Sequence, residues 1–281
     1  MTPLSVNDVL ARVRELPALP ALVIELIDSL DKESTSAEQL ADKISNDQAL
    51  VAKTLRLANS SFYGMSREIT SVADAATVLG LRTIRNIAIA AVLAEHFGRG
   101  DGELDFDAFW RHSLATALCS AAIARETGFD EGMAFTLGLL HDVGRLVLAS
   151  AFAEQFSQVV AHQRAHDCPS LDAERAVLGT DHAAIGRLIT EQWRFSPGLV
   201  AAIAGHHEPP DAADAKASLS DLVHVADNIA HALDLSRLEE DAVPLLSMTA
   251  WTRLGLDEAA CQRVFEQTRA PHDALCAALF G

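Results

Sequence analysis

Apolar side chains recur every three to four positions along almost the whole of this 281-residue chain, and strict polar–apolar alternation is absent. A 3.6-residue period collects apolar groups on one face of a helix. Helices packed on helices are then the way to bury those faces, so the expected fold class is all-α. Leu22, Leu26 and Leu30 mark a first amphipathic helix within Leu19–Leu30. Ser36 is positioned to cap AEQLADKIS and Asp47 to cap QALVAKTLRLANSS. Thr70 or Ser71 opens SVADAATVLG, Gly80 stops it, and a further helix runs from Leu81 to about His96. Gly98, Gly100 and Gly102 then mark a loop. It is the expected boundary between an N-terminal helical lobe, residues 1–100, and a second helical part, residues 101–281. There FWRHSLATALCSAAIARETG and EGMAFTLGLLHDVG come first, and further helices start near Arg145 and Asp181. Ser196-Pro197 opens another, Ser220 opens SDLVHVADNIAHALDL, and Trp251–Leu254 and Asp257–Phe265 hold the last.

Charge divides the chain in the same way. The first hundred residues carry 12 acidic and 10 basic side chains, the remainder 27 and 12, for a formal total of −17. Phosphate backbones need clustered Lys and Arg, so this balance disfavours direct nucleic-acid binding through a broad surface. The apolar uncharged stretch Ser113–Ala124 is too short for a bilayer, which takes roughly 18–20 residues. The N-terminus has no apolar core of the secretory kind, and no membrane partner is expected. Cys119, Cys168, Cys261 and Cys276 form no CxxC pair and read as reduced thiols of a cytoplasmic protein.

Histidines and aspartates on apolar faces carry the chemistry. His112 shares a helical stripe with Phe109, Ala115, Cys119 and Ile123. His141 and Asp142 follow Leu137–Gly138–Leu139–Leu140, and His182 sits with Ile185, Gly186 and Ile189. His206 and His207 end a helix, and Asp227 lies beside Val223, Ala226 and Ala230. A buried imidazole or carboxylate needs a hydrogen-bond partner or a metal. A lone buried histidine is more often a satisfied core residue than a ligand; seven such groups in series are harder to dismiss. One ion would use His112, His141, Asp142 and Asp227. A second would share Asp142 and recruit His182, His206 and His207. A ligand set of nitrogen and carboxylate oxygen without thiolate suits Fe, Mn, Zn or Mg and does not choose among them. Two ions about 3.5–4 Å apart clamp a phosphoryl group. His224 and His231 read as mostly solvent-facing, and His96, His162, His166 and His272 show no partner pattern.

The chain resembles the HDOD family, the HD-related output domains of bacterial signalling proteins. The resemblance rests on LPALPALVIELIDSL, DKISNDQALVAKTLRLANSSFYG and ITSVADAATVLGLRTIRNIAI, then on GLLHDVGRLVL, GTDHAAIGRLITEQW, IAGHHEP and HVADNIAHAL. It implies an N-terminal helical lobe packed on an HD-like bundle and a regulatory role without demonstrated catalysis. The ligand positions of the HD superfamily correspond to His112, His141, Asp142 and Asp227, and the additional histidines of the HD-GYP phosphodiesterases to His182, His206 and His207. Three departures stand against cyclic-dinucleotide hydrolysis. Ala108 occupies the place of a glutamate, Arg145 that of the catalytic lysine, and PPDAADAKASL follows His206-His207-Glu208 without a GYP motif. Arg keeps the charge but donates no proton at ordinary pH.

Three readings follow. The first is a stand-alone signalling module that works by protein or ligand interaction, without catalysis, around a retained divalent-metal site. Its partner would be a signalling protein coupled non-covalently, with Lys53, Arg56, Asn59, Arg82 and Arg85 as the candidate docking face. The second is a metal-dependent phosphohydrolase acting on a nucleotide or cyclic dinucleotide, with Arg145 neutralising phosphate. The third keeps the histidines as a metal-free hydrogen-bond network.

Overall fold

The structure is a computed structural model. It describes residues 11–12, 19–28, 42–60, 62–65, 68–97, 102–211, 216–238 and 242–280. Among these no residue is in a strand, and the helical expectation holds throughout. The expected helix led by Ser36 lies largely outside the described residues.

Among the described residues, the helices that come first are α1 (Ala21–Asp28), α2 (Gln48–Ala58), α3 (Val72–Leu79) and α4 (Leu81–Phe97). Asp47 caps α2 by accepting from the backbone N–H groups of Ala49 and Leu50, and Ser71 caps α3 by accepting from that of Asp74. Both caps satisfy donors that a helix start leaves open, typically about 1 kcal/mol each. Asn59, one of the candidate docking residues, pins the loop after α2. Its Nδ2 donates to the carbonyls of Leu55 at 3.0 Å and Ile69 at 2.7 Å, and its Oδ1 accepts from the Ile69 N–H at 2.7 Å. Arg56 reaches the Ala277 carbonyl, and Arg82 pairs with Glu131 at 3.1 Å.

The rest is a bundle of ten described helices: α5 (Phe106–Thr127), α6 (Glu131–Leu140), α7 (Val143–Ala151), α8 (Ala153–His166), α9 (Ser170–Leu178), α10 (His182–Gln192), α11 (Pro197–Ala204), α12 (Leu219–Ala232), α13 (Met248–Leu254) and α14 (Glu258–Phe280). Helix α5 is the axis. It is buried over most of its length and packs against α6, α12 and α14. The larger of two apolar clusters among the described residues reaches from Leu19, just before α1, to Leu279 in α14.

Two glycines set the helix spacing that the site requires. A Cβ on Gly138 would stand 2.6 Å from the Thr116 carbonyl oxygen and 2.7 Å from the Ala117 Cα, so α6 lies directly on α5. A Cβ on Gly144 would stand 1.9 Å from the His182 carbonyl oxygen and 2.8 Å from the Gly186 amide, so α7 touches α10 backbone to backbone. These approaches bring His112 to His141 and Asp142 to His182.

Several expectations need correction. Helices α8 and α9 were not anticipated. Helix α12 starts two residues earlier than expected, capped by Ser218, whose hydroxyl accepts from the Asp221 N–H while the Asp221 carboxylate accepts from the Ser218 N–H. The last helix passes through Pro271 to Phe280. A further apolar segment, 131–151, runs across α6 and α7 and carries Glu131, Asp142 and Arg145. It has the length and composition to cross a membrane, but it is mostly buried inside the bundle.

Candidate metal centre

Six elements deliver the seven residues. His112 comes from the middle of α5, and His141 and Asp142 from the break between α6 and α7. Asp142 sits at the N-cap position of α7 but makes no capping bond, so its carboxylate is free to turn inward. His182 opens α10, His206 and His207 follow α11, and Asp227 lies on α12.

The structure brings all seven together in two adjoining groups, Asp142 with His182, His206 and His207, and His112 with His141 and Asp227. Within each group the candidate ligand atoms lie within 4.8 Å of one another. Asp142 Oδ1 is 3.1 Å from His182 Nε2, 3.5 Å from His206 Nε2 and 3.8 Å from His141 Nε2. It therefore faces both groups, as the shared position requires. Asp227 Oδ1 is 2.9 Å from His112 Nε2 and 3.4 Å from His141 Nε2.

The outer ring nitrogens fix the tautomers. His141 Nδ1 donates to the Gly138 carbonyl, His206 Nδ1 to the Ile203 carbonyl and His182 Nδ1 to Glu174 Oε2, each at 2.7 Å. A carbonyl or carboxylate can only accept, so each Nδ1 carries the proton. In the neutral rings each Nε2 is then a lone pair aimed inward, toward carboxylate oxygens. Asp142 Oδ1 and Asp227 Oδ1 are buried and have no hydrogen-bond partner. Acceptors facing acceptors in a dry site repel unless positive charge lies between them. With their protons on Nδ1, neutral His141, His182 and His206 have no N–H to give these oxygens. The missing charge comes from protons on the rings or from a divalent ion, and the donor set fits an ion.

The titration directions express the same demand. Burial opposes charge on His182, but Glu174 and Asp142 outweigh it and hold the imidazole up to about 10. Burial likewise opposes charge on Asp142, yet His141 and His182 hold it well below the usual carboxylate range. His207 is pushed down by burial and by its neighbours His206 and His182.

The surroundings of four groups were not foreseen from the sequence. Glu174 on α9 is fully buried and accepts from both the backbone N–H and Nδ1 of His182, each at 2.7 Å. A carboxylate behind a ligand histidine orients the ring and raises its basicity. His224, expected to face solvent, is buried. Its Nδ1 donates to the His206 carbonyl at 2.7 Å, and its Nε2 accepts from the Ser247 N–H at 2.9 Å. His231 is only 16% exposed, with its ring centroid 4.3 Å from that of His112. His272, which had shown no partner, is buried against the Arg111 carbonyl at 2.9 Å.

A cavity of about 430 Å³ opens beside the group of His112, His141 and Asp227, lined among others by Phe109, His112, Arg145, Phe156, His231 and Arg237. Arg145 Nη1 lies 3.3 Å from Asp142 Oδ2. The guanidinium thus spans from the centre to the cavity.

The model of the HDOD domain family matches residues 16–209. The chain belongs to the HDOD family. Among solved structures, an HDOD domain protein of Geobacter sulfurreducens superposes with a TM-score of 0.73 at 27% identity, over 94% of this chain and 90% of that one. A candidate phosphohydrolase of Shewanella amazonensis SB2B gives 0.73 at 26% identity, over 96% and 97%. Ribonuclease Y 2 of Pediococcus pentosaceus is 26% identical over 242 residues, 82% of this chain and 40% of that protein. The HDOD chain spans 39% and 40% of the length of the first two curated relatives it matches. Asp227 and His231 lie beyond the matched family span, so the centre draws on residues outside it.

Proposed function

We propose that this HDOD protein is a metal-dependent regulatory module. It holds one or two divalent ions and receives a phosphate-bearing ligand in the adjoining cavity. The convergence of three inward-facing Nε2 atoms on two orphaned, buried carboxylate oxygens carries this reading. His112, His141 and Asp227 would hold one ion, and His182, His206 and His207 the other, with Asp142 between them. A divalent ion there supplies charge neutralisation and Lewis-acid polarisation for a phosphoryl group. Arg145 would anchor a phosphate oxygen while staying tied to Asp142, and Phe109 and Phe156 would cover the apolar part of the ligand. A cytoplasmic location accords with the four free thiols. The first hundred residues would act as the partner-facing lobe.

A second reading, phosphohydrolase activity, is favoured by Arg145 at the junction of centre and cavity and by the resemblance to the Shewanella candidate phosphohydrolase. Arginine binds phosphate but supplies no proton, so turnover would be slow. Both readings share one experiment. Protein purified without chelator is analysed for bound metal, then assayed with a generic phosphodiester beside Asp142→Asn. About one or two ions per chain, lost in the variant, is the expected result. Less than about 0.2 per chain, with stability unchanged by EDTA, would sink the metal reading, because a specifically bound ion stabilises the state it binds. Turnover that persists in Asp142→Asn would reject the hydrolase.

A further inference from the structure

A second cavity lies on the far side of α5 and shares no residue with the metal centre. It has a volume of about 480 Å³ and forms where α4, α5, α6, α14 and the loop after α2 meet. Sites for small molecules span roughly 300–1,000 Å³. Its floor is apolar, built from Ile87, Leu114, Leu118, Phe135, Leu275 and Leu279. Phe62 and Tyr63, edge to face at 4.9 Å, stand at one wall.

The rim is polar and already balanced. Glu131 takes Arg82 on one carboxylate oxygen at 3.1 Å and Arg125 on the other at 2.7 Å, and Arg125 continues to Gln267. Arg82 and Arg125 against Glu131 and Glu266 leave no net charge to attract an ion.

One side-chain acceptor on the wall lacks a donor. Asn86 Oδ1 is buried without a hydrogen-bond partner. Pro271, inside α14, has no N–H for the carbonyl of Gln267 one turn earlier, and both residues line the cavity. A buried acceptor left open costs stability that a donor would restore. The cavity therefore offers apolar walls, no net charge and, at Asn86, an acceptor in want of an N–H or O–H.

We propose that this junction binds a flat, uncharged, largely apolar small molecule that carries a hydrogen-bond donor, with Asn86 as its polar anchor. Such a ligand would touch the first helices and the bundle at once. It would weight the equilibrium between arrangements of the two by its differential affinity. The site stands or falls separately from the metal centre, because none of its residues belongs to that centre.

Indole and 1-methylindole serve as probes of similar shape that differ in the N–H. Titration of the full chain, followed by NMR of methyl groups, should show saturable indole binding that shifts Leu114, Leu118 and Ile87. 1-Methylindole should bind about tenfold more weakly, the size expected for one hydrogen bond to a buried acceptor. Asn86→Leu should remove that difference, and Ala121→Phe should abolish binding of both by filling the space. Thr83→Phe fills the cavity from another wall should Ala121→Phe fail to fold. The proposal is overturned by any of three results: no saturable binding up to the solubility of indole, equal affinity for the two probes in the unaltered chain, or indole binding that survives a folded cavity-filling variant.

Discussion

His182 has a carboxylate behind it and a carboxylate in front of it, and this makes Glu174 more than a core residue. Glu174 accepts from His182 Nδ1, while Asp142 faces Nε2. Glu174→Gln keeps an acceptor for the ring but removes the charge that raises its basicity. Metal affinity, measured by competition with a chelating dye, should fall about 10–100-fold; an unchanged affinity would show the carboxylate to be mere packing. The thiols give a second test at this scale. Burial pushes both Cys119 and Cys276 up to about 12, so neither forms thiolate at pH 8. Iodoacetamide should label the half-buried Cys168 in the folded protein and reach Cys119 and Cys276 only on unfolding, as peptide mapping would record. Five of the seven ligand candidates were legible because they lie on or directly after an apolar stripe, and His206 and His207 because they pair at a helix end. His224 was not, because α12 is buried from Ser220 through Ala230 and has no outer face for periodicity to reveal. Glu174 was hidden by distance, since nothing in the spacing ties an acid on one helix to the first residue of the next.

The elements that matter most for the site are held by contacts of backbone on backbone. Gly144→Ala would drive a methyl into the His182 carbonyl and force α7 off α10. Overpacking of this kind costs about 1–3 kcal/mol or more. Thermal unfolding should register that loss, together with weaker metal binding, because Asp142 moves with α7. An alanine at Gly80 meets no atom within 4 Å but inherits a φ of +79°, so any loss there should leave metal binding intact. The same scale explains where sequence periodicity failed. Helix α8 fully buries only Phe156 and Val159, too thin a stripe to stand out. Helix α14 continues through Pro271, a residue that ordinarily marks an end. The missing hydrogen bond is offset by Leu275, Cys276 and Leu279, all buried in the core, and by the bond from His272 to the Arg111 carbonyl.

At the scale of the molecule, the acidic excess after residue 100 takes on structure. Two of those acids, Asp142 and Asp227, are buried at the centre of the bundle, where one or two ions would return positive charge. The centre draws on α5, α7, α10 and α12 and the segments around them, and on nothing from α1 to α4. Bound metal should therefore tie the bundle together and leave the first helices as they were. With free metal at about a hundred times its dissociation constant, the bundle gains about 2.7 kcal/mol over the metal-free protein. Hydrogen exchange read by mass spectrometry resolves where that gain falls. Protection should rise in peptides covering His112, His141–Asp142 and Asp227 and stay level in α2 and α3, whose caps and Asn59 bridge do not touch the centre. The larger apolar cluster, from Leu19 to Leu279, sets up the opposite outcome. If protection rises equally in α2 and α3, the chain responds to metal as one cooperative unit, and the division near residue 100 is one of sequence rather than of stability.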